Sequence, residues 1–573
     1  MKSFIQKIWM LVVFLSVSIS ATAYDFEADG IGYTITDFSD LTVSVSKLVN
    51  DSLTKVNIPE YVEYKDKSLK VTSIAKRAFR NDSTLLEISL PVTINSIGDE
   101  AFYNNFSLTA VNLPESLTYI GKDAFYRCES ITSISIPDGI YEINDYVFCG
   151  CISLKEIDIH SNIHSIGAYA FASTGLQRIN IPDNVISIGK GAFSYTDFVD
   201  IRLHDGIKII PDNCFKGCDK LRNIIFKSEA IGSYAFKDCI ALEKITIPES
   251  VTTINDGAFQ GCESIKEFVI PSSVTYIAPT ILWDCPNLET LQIGSGLNGL
   301  PVIYDHESSY GSTAYYRYYS LGSYVYGKKP WGGSYQLLRH DEYLKSIRTF
   351  IIDDSEDEFR IRGFQWNYDK PTPPFADNEC VLDYYYVGRP LTAIENWSTS
   401  SGGSSGFAVD IKQGTGRIRK LEINGSCTSV PYFYQKVDTL KLGEKIREFS
   451  LYNIYKEDIV KIECLSKNPP KCVNSYYSFP TNVYTDAVLY VPFGCKEAYA
   501  NADVWKNFWN IYELSEDNSL IEEVYDEEDL DLHDIYNLSG VLIGKSFNIE
   551  EIKKLPKGIY IVTNKYKKYK IKI

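Results

Sequence analysis

None of the chain's 13 cysteines forms a Cys-x-x-Cys pair, so zinc-ribbon and thioredoxin-type chemistry find no support. There is no His-Glu-x-x-His zinc helix and no phosphate-binding P-loop. Beyond the N-terminus no segment holds 18 uninterrupted apolar residues, so no later membrane-crossing helix is expected. Basic charge is scarce too. Lys and Arg number 57 against 74 Asp and Glu, and a net charge of −17 excludes a general nucleic-acid binder. Histidine is limited to six residues. His160 and His164 lie near one strand end and His204 two turns later. Stacked turns would separate His160 from His204 by roughly 10 Å, too far to share a zinc at bonds of about 2 Å. No metal site, cofactor or catalytic residue is expected.

What the chain has is a period. Phe79, Phe102, Phe125, Phe148, Phe171, Phe193, Phe215, Phe236 and Phe259 are separated by 23, 23, 23, 23, 22, 22, 21 and 23 residues. Such tight spacing from Phe79 to Phe259, in a chain of 573 residues, describes a solenoid, in which each turn buries its apolar face against its neighbours. The turn from Leu108 to Phe125 shows the grammar. Val111 and Leu113 flank Asn112 with the alternation of a one-face-buried strand. Pro114, lacking an N–H, ends it. Leu117 and Ile120 point inward again, Gly121 permits a bend, and Phe125 fills the interior. A turn of 22 or 23 residues holds two short strands and at most one helical turn, so parallel stacking is expected. Cys128, Cys151, Cys218, Cys239, Cys262 and Cys285 all lie three residues after a Phe or Leu anchor. They read as a line of small buried thiols, although the spacing leaves a disulfide between neighbours such as Cys128 and Cys151 open.

Around this core the chain divides into six stretches. Residues 1–23 have the charged start, apolar centre and Ala21-Thr22-Ala23 end of a secretory signal. Residues 24–72 suggest an N-terminal cap with a hairpin at Asp29-Gly30. Regular repeats fill 73–293. Irregular repeats with a C-terminal cap fill 294–514, interrupted by a flexible Ser/Gly loop at 398–406. Residues 515–534 form an acidic linker without the spacing or central glycine of a calcium loop. Residues 535–573 form a small β domain rich in lysine.

The most ligand-like chemistry lies in a Tyr-rich excursion after residue 294. Tyrosine offers a large amphipathic contact with only two torsions to freeze. The binding candidates are Tyr315, Tyr316, Arg317, Tyr318, Tyr319, Tyr324, Tyr326 and Trp331. An acidic cluster, Asp353, Asp354, Glu356, Asp357 and Glu358, raises a carboxylate-pair hydrolase as a lesser alternative.

The nine anchored turns and strand ends such as Ile134-Ser135-Ile136-Pro137 and Ile179-Asn180-Ile181-Pro182 resemble the leucine-rich repeats of the BspA-like bacterial surface-protein family. Val488-Leu489-Tyr490-Val491-Pro492 repeats the pattern late in the chain, and Trp505-Lys506-Asn507-Phe508 is similar to the family's closing helix and last anchor. The resemblance implies a leucine-rich-repeat solenoid, a β-rich right-handed superhelix of short parallel strands followed by a small C-terminal β domain. It also implies export to the cell surface, the outer membrane or the medium, and adhesion or recognition without a shared catalytic constellation. The partner would be a host-matrix or bacterial surface protein, or a glycan; a structural envelope component is the alternative. Tyr536, Gly540 and the Pro556-Lys557-Gly558-Ile559-Tyr560 turn make the tail resemble C-terminal sorting domains of exported Bacteroidetes proteins.

Overall fold

The computed structural model describes residues 24–50, 52–278, 280–298, 346–361, 381–393, 417–430, 436–450, 457–473 and 479–515, and the backbone of strands within 302–339, 363–371 and 533–572. The signal segment, the Ser/Gly loop and nearly all of the acidic run lie outside these residues.

Each regular rung has three sides. On the first, a three-residue strand such as Ala110–Asn112 pairs in parallel with Glu87–Ser89 of the preceding rung. Only its central residue, Val111, is buried, as the two-residue period of a strand requires. A turn closed by the Leu117 N–H on the Pro114 carbonyl (2.9 Å) leads to the second side. There Tyr119–Ile120 pairs in parallel with Ser96–Ile97. Gly121 follows because nothing larger fits: a Cβ there would come 2.4 Å from the Asp99 nitrogen of the previous rung.

The third side carries the anchors and is held by alternating hydrogen bonds. Glu100, Phe102 and Asn104 donate their N–H groups to the next rung, at Lys122, Ala124 and Tyr126 (2.7–2.8 Å). Ala101, Tyr103 and Asn105, between and after them, donate back within the rung to Gly98, Glu100 and Phe102. Aiming alternate amides in opposite directions needs left-handed backbone at two residues per rung. Glu100 and Asn104 have φ of 54° and 60°, and Asp123 and Arg127 have 56° and 55°. Each such non-glycine residue costs about 1–2 kcal/mol, offset by the satisfied inter-rung ladder.

Inside, the nine Phe rings form one stack. Successive centroids are 5.2–5.9 Å apart and the ring planes lie within 13° of parallel. That is an offset aromatic column, and the rings are buried. The line of thiols runs beside it. The twelve described cysteines are all unbridged. Cys128, Cys151, Cys218, Cys239, Cys262 and Cys285 are buried, and each thiol donates to the carbonyl of the preceding rung's Phe anchor, at 3.1–3.2 Å. In rungs without cysteine other donors stand here. Asn105 Nδ2 reaches the preceding rung's Phe79 carbonyl at 2.7 Å, whereas the Thr174 and Thr196 hydroxyls turn to the Phe171 and Phe193 carbonyls of their own rungs at 2.9 Å. The position therefore selects a small donor, a more specific demand than the small hydrophobe the sequence suggested.

The parallel stacking continues past the regular repeats. A nine-stranded sheet runs through Glu267–Ile270, Thr290–Ile293, Thr349–Ile352, Val381–Val387, Arg417–Ile423, Lys436–Leu442, Lys461–Cys464, Val488–Val491 and Asn510–Glu513. Its inward residues, among them Leu291, Phe350, Tyr385, Leu421, Leu440, Ile462 and Leu489, are fully buried. At the N-terminal side Phe26–Ala28 and Ile31–Asp37 form the expected hairpin, with Asp29 and Gly30 at positive φ. At the other end Trp505 is fully buried among Phe449, Phe479, Tyr499 and Phe508, and its indole N–H donates to the Pro470 carbonyl at 2.8 Å. The tail strands His533–Asn537, Leu542–Phe547, Ile559–Thr563 and Lys568–Lys572 make a separate four-stranded antiparallel sheet.

Candidate functional site

Thr290–Ile293 pairs directly with Thr349–Ile352, so the intervening excursion leaves and re-enters the solenoid between adjacent strands. It forms its own antiparallel sheet from Val302–Tyr310, Thr313–Ser320, Ser323–Pro330 and Gln336–Arg339. Tyr319 is in register with Ile303 and Tyr324, Arg317 with Asp305 and Tyr326, and Tyr315 with Glu307 and Lys328. Tyr316 is opposite His306 and Gly327, and Tyr318 opposite Tyr304 and Val325. The two-residue period thus places Tyr315, Arg317, Tyr319, Tyr324 and Tyr326 on one face, and Tyr316 and Tyr318 on the other. Trp331 lies outside the described residues. The sequence showed the aromatic density, but the division between faces depends on the register.

The excursion is fastened at its base by a residue the sequence reading did not single out. Arg389 is fully buried. Its Nη1 and Nη2 donate to the Ser295 and Gly294 carbonyls at 2.9 and 3.2 Å, and its guanidinium lies 4.6 Å from the Phe359 ring centroid. Burial pulls the Arg389 pKa down, with Asp353 and Asp357 opposing. A lone Arg after a strand offers no sequence signal of this role, because its partners lie 94 and 95 residues earlier.

The outward side of the nine-stranded sheet carries a connected polar array. Glu422, nearly buried, accepts from Lys441 at 2.8 Å and from the Tyr384 hydroxyl at 3.1 Å, with Lys420 at 3.7 Å. Burial alone would raise the Glu422 pKa, but Lys441, Lys420 and Tyr384 together hold it below the ordinary value. Tyr384 and Tyr386 are both pushed up, first by burial and then by the carboxylates they donate to, Glu422 and Asp354. Further along, Lys461 lies 5.0 Å from the Tyr490 ring centroid, and Tyr490 is 6.0 Å from Tyr512.

This array absorbs much of the acidic cluster. Asp353 accepts two hydrogen bonds from the Gln292 amide at 2.9 and 3.1 Å, Asp354 accepts from Tyr386, and Glu356 pairs with Lys445 at 2.9 Å. Burial raises the Asp353 pKa, reinforced by Asp354 and opposed by Gln292. These three carboxyl groups serve local contacts, which weakens the hydrolase alternative.

The histidines have structural posts. His160 and His204 occupy the place that Pro114 and Pro137 hold in other rungs, accepting the closing N–H from Ile163 and Ile207. Their Nε2 atoms bond the Pro137 and Val185 carbonyls at 3.0 and 2.9 Å, and their Nδ1 atoms accept from the Asn162 and Gly206 N–H groups. These donor and acceptor roles give the Nε2–H tautomer. Both side chains are mostly buried, so they are not simply surface turn residues. Among the described residues no group of three His, Cys, Asp or Glu is placed to hold a metal, and no helix is long and apolar enough to cross a membrane.

Residues 72–198 and 186–302 match the BspA type leucine rich repeat region. No curated protein matches the chain. Among solved structures, a leucine-rich repeat protein from Bacteroides ovatus is 20% identical, covering 86% of this chain and 100% of its own, with a TM-score of 0.42. A leucine rich cell surface protein from Faecalibacterium prausnitzii is 24% identical, covering 48% and 90%, with a TM-score of 0.35. The leucine rich repeat protein of T. pallidum is 26% identical, covering 38% and 90%, with a TM-score of 0.27.

Proposed function

We propose that this solenoid, whose residues 72–302 are BspA-type leucine-rich repeats, is an exported recognition or adhesion protein. It acts at the cell surface, in association with the outer membrane or after secretion. Its partner is a host-matrix or bacterial surface protein, or a glycan, held by noncovalent contacts to the Tyr-rich excursion. The observation that carries this reading is the unbroken pairing of Thr290–Ile293 with Thr349–Ile352. The parallel sheet does not need the intervening sheet for its own continuity, yet that sheet concentrates tyrosine. Tyr319, Tyr324 and Tyr326 share a face with Arg317, a combination that supplies aromatic area and a cation together. The lysine-rich tail acts in sorting during export.

The test is binding of the full chain to immobilised matrix proteins and glycan arrays, with and without Tyr318, Tyr319, Tyr324 and Trp331 replaced together by Ala. The expected result is a saturable partner whose affinity drops at least about tenfold, with far-ultraviolet circular dichroism largely unchanged. Undiminished affinity moves the site off the excursion. Absence of any partner across the array favours a structural envelope component.

A further inference from the structure

The anchor side of the regular repeats contains a cleft of about 580 Å³, spanning the rungs from Lys190 to Trp283. Its volume is within the roughly 300–1,000 Å³ of small-molecule sites. Three lysines line it: Lys190, Lys216 and Lys237. Lys216 and Lys237 each follow their Phe anchor by one residue, so they are neighbours on consecutive rungs, and both are half-buried. Among the described residues no carboxylate forms an ion pair with any of the three. Nearby surface lysines differ: Lys208, Lys220 and Lys227 pair with Glu229, Asp197 and Asp205 at 3.3, 2.8 and 2.7 Å. The cleft's one carboxylate, Asp212, has an oxygen already engaged by the Ser233 N–H at 2.7 Å. Three lysines against that one carboxylate leave the cleft lining net positive in a chain of net charge −17, and a concave wall focuses its field.

The cleft also has an aromatic wall of fixed orientation. The Tyr234 ring fills the space that a Cβ at Gly257 of the next rung would need, with Cε1 only 2.4 Å from that position. Gly257 is left-handed, with φ of 57°. Its missing side chain lets the ring lie against the backbone, while Tyr234 stays 39% exposed. Lys237 Nζ is 5.5 Å from the Tyr234 ring centroid, and Trp283 extends the aromatic surface. The side-chain amides of Asn213 and Gln260 also face the cleft and make no hydrogen bond among the described residues. An amide both donates and accepts, which suits a row of hydroxyl groups.

We infer that this cleft binds an acidic saccharide, sugar rings bearing carboxylate or sulfate groups, with Lys216, Lys237 and Lys190 meeting the anion, Asn213 and Gln260 the hydroxyls, and Tyr234 an apolar ring face. The inference is independent of the Tyr-rich excursion and assigns a second, chemically different surface. Isolated anions need only the lysines; the aromatic wall and the two amides are what a saccharide uses in addition.

The test is calorimetric titration of the full chain with tetragalacturonate, its fully methyl-esterified form, a chondroitin sulfate tetrasaccharide and inorganic sulfate. At least one acidic tetrasaccharide is expected to bind, at least about tenfold more tightly than the neutral ester and than sulfate. The double variant Lys216→Gln, Lys237→Gln is expected to weaken that binding at least about tenfold with an unchanged melting temperature. Tyr234→Ala should weaken saccharide binding but leave any sulfate binding intact. Replacing Tyr318, Tyr319, Tyr324 and Trp331 should leave the titration unchanged, so the two sites fail or survive separately. Equal affinity for acid and ester, full affinity in the double lysine variant, sulfate binding as tight as the saccharides, or no binding of either acidic tetrasaccharide at millimolar concentration would each overturn the inference.

Discussion

Replacing Cys239 by Ser and, separately, by Ala asks whether the buried line of cysteines is a set of donors or only a set of small apolar groups. The two substitutions remove nearly the same volume and differ by one hydroxyl. Cys239 is fully buried, and its thiol donates to the Phe215 carbonyl at 3.1 Å. That carbonyl also accepts the Cys218 N–H at 3.2 Å, so truncation does not orphan it. Loss of the sulfur contacts and of one weak hydrogen bond should cost about 1–2 kcal/mol in the Ala variant. The Ser hydroxyl has an acceptor at the right place, so Ser is expected to be more stable than Ala by about 0.5–1.5 kcal/mol. If the site were merely apolar, the order would reverse, because an unpartnered buried hydroxyl costs about 1–3 kcal/mol. The sign of the difference decides. A solenoid of this length does not guarantee two-state unfolding, so the appropriate assay is native-state hydrogen exchange at the Phe215 to Phe259 rungs. A Ser variant that opens more easily than Ala would refute the donor reading, despite the Asn105 precedent at the same position of an earlier rung.

Two further outcomes follow from buried groups. Arg389→Ala should raise amide exchange in 290–298 and 381–389, reflecting a loss of about 2–4 kcal/mol from two charged hydrogen bonds and a cavity, while rungs 87–112 remain unchanged; unaltered exchange at 290–298 would remove Arg389 as the clamp on the excursion. Alkaline pH should weaken the fold. Burial is the largest cause raising the Cys218 and Cys285 thiols, from the ordinary 9.0 to about 11 and about 12, so the unfolded chain loses these protons first. Their stabilising contribution is complete below about pH 9 and falls as pH rises toward the folded values. Melting temperature measured from pH 8 to 10.5 should decline, and decline less steeply when Cys218, Cys239, Cys262 and Cys285 are all Ser; identical slopes would show that the thiols are not responsible.

The repeat was legible because each rung satisfies the same local rules. Phe spacing, Ile-x-Ile-Pro strand ends and the Ile-Gly step each report a contact with the adjacent rung, only 21 to 23 residues away. His160 and His204 were harder to read. The period sets them 23 residues after Pro137 and 22 after Pro182, at the Pro position, but the bonds of their rings to the Pro137 and Val185 carbonyls show only in the structure. The cleft left a faint trace, lysines one residue after Phe215 and Phe236, but charge at a surface position ordinarily means solvation. The missing partners and the Tyr234–Gly257 fit are relations between rungs, and no single repeat carries them.

By itself, the sequence determined the architecture, because a solenoid's core is a sum of nearest-neighbour contacts written once per period. It also determined which side chains face inward, since alternation along a short strand leaves one choice of face. The tertiary structure decided the direction of each thiol's hydrogen bond, the clamp of Arg389 on Gly294 and Ser295, and the convergence of Lys190, Lys216, Lys237 and Tyr234 on one cleft. These depend on distances and angles between residues tens of positions apart, which the identities of the residues alone do not specify.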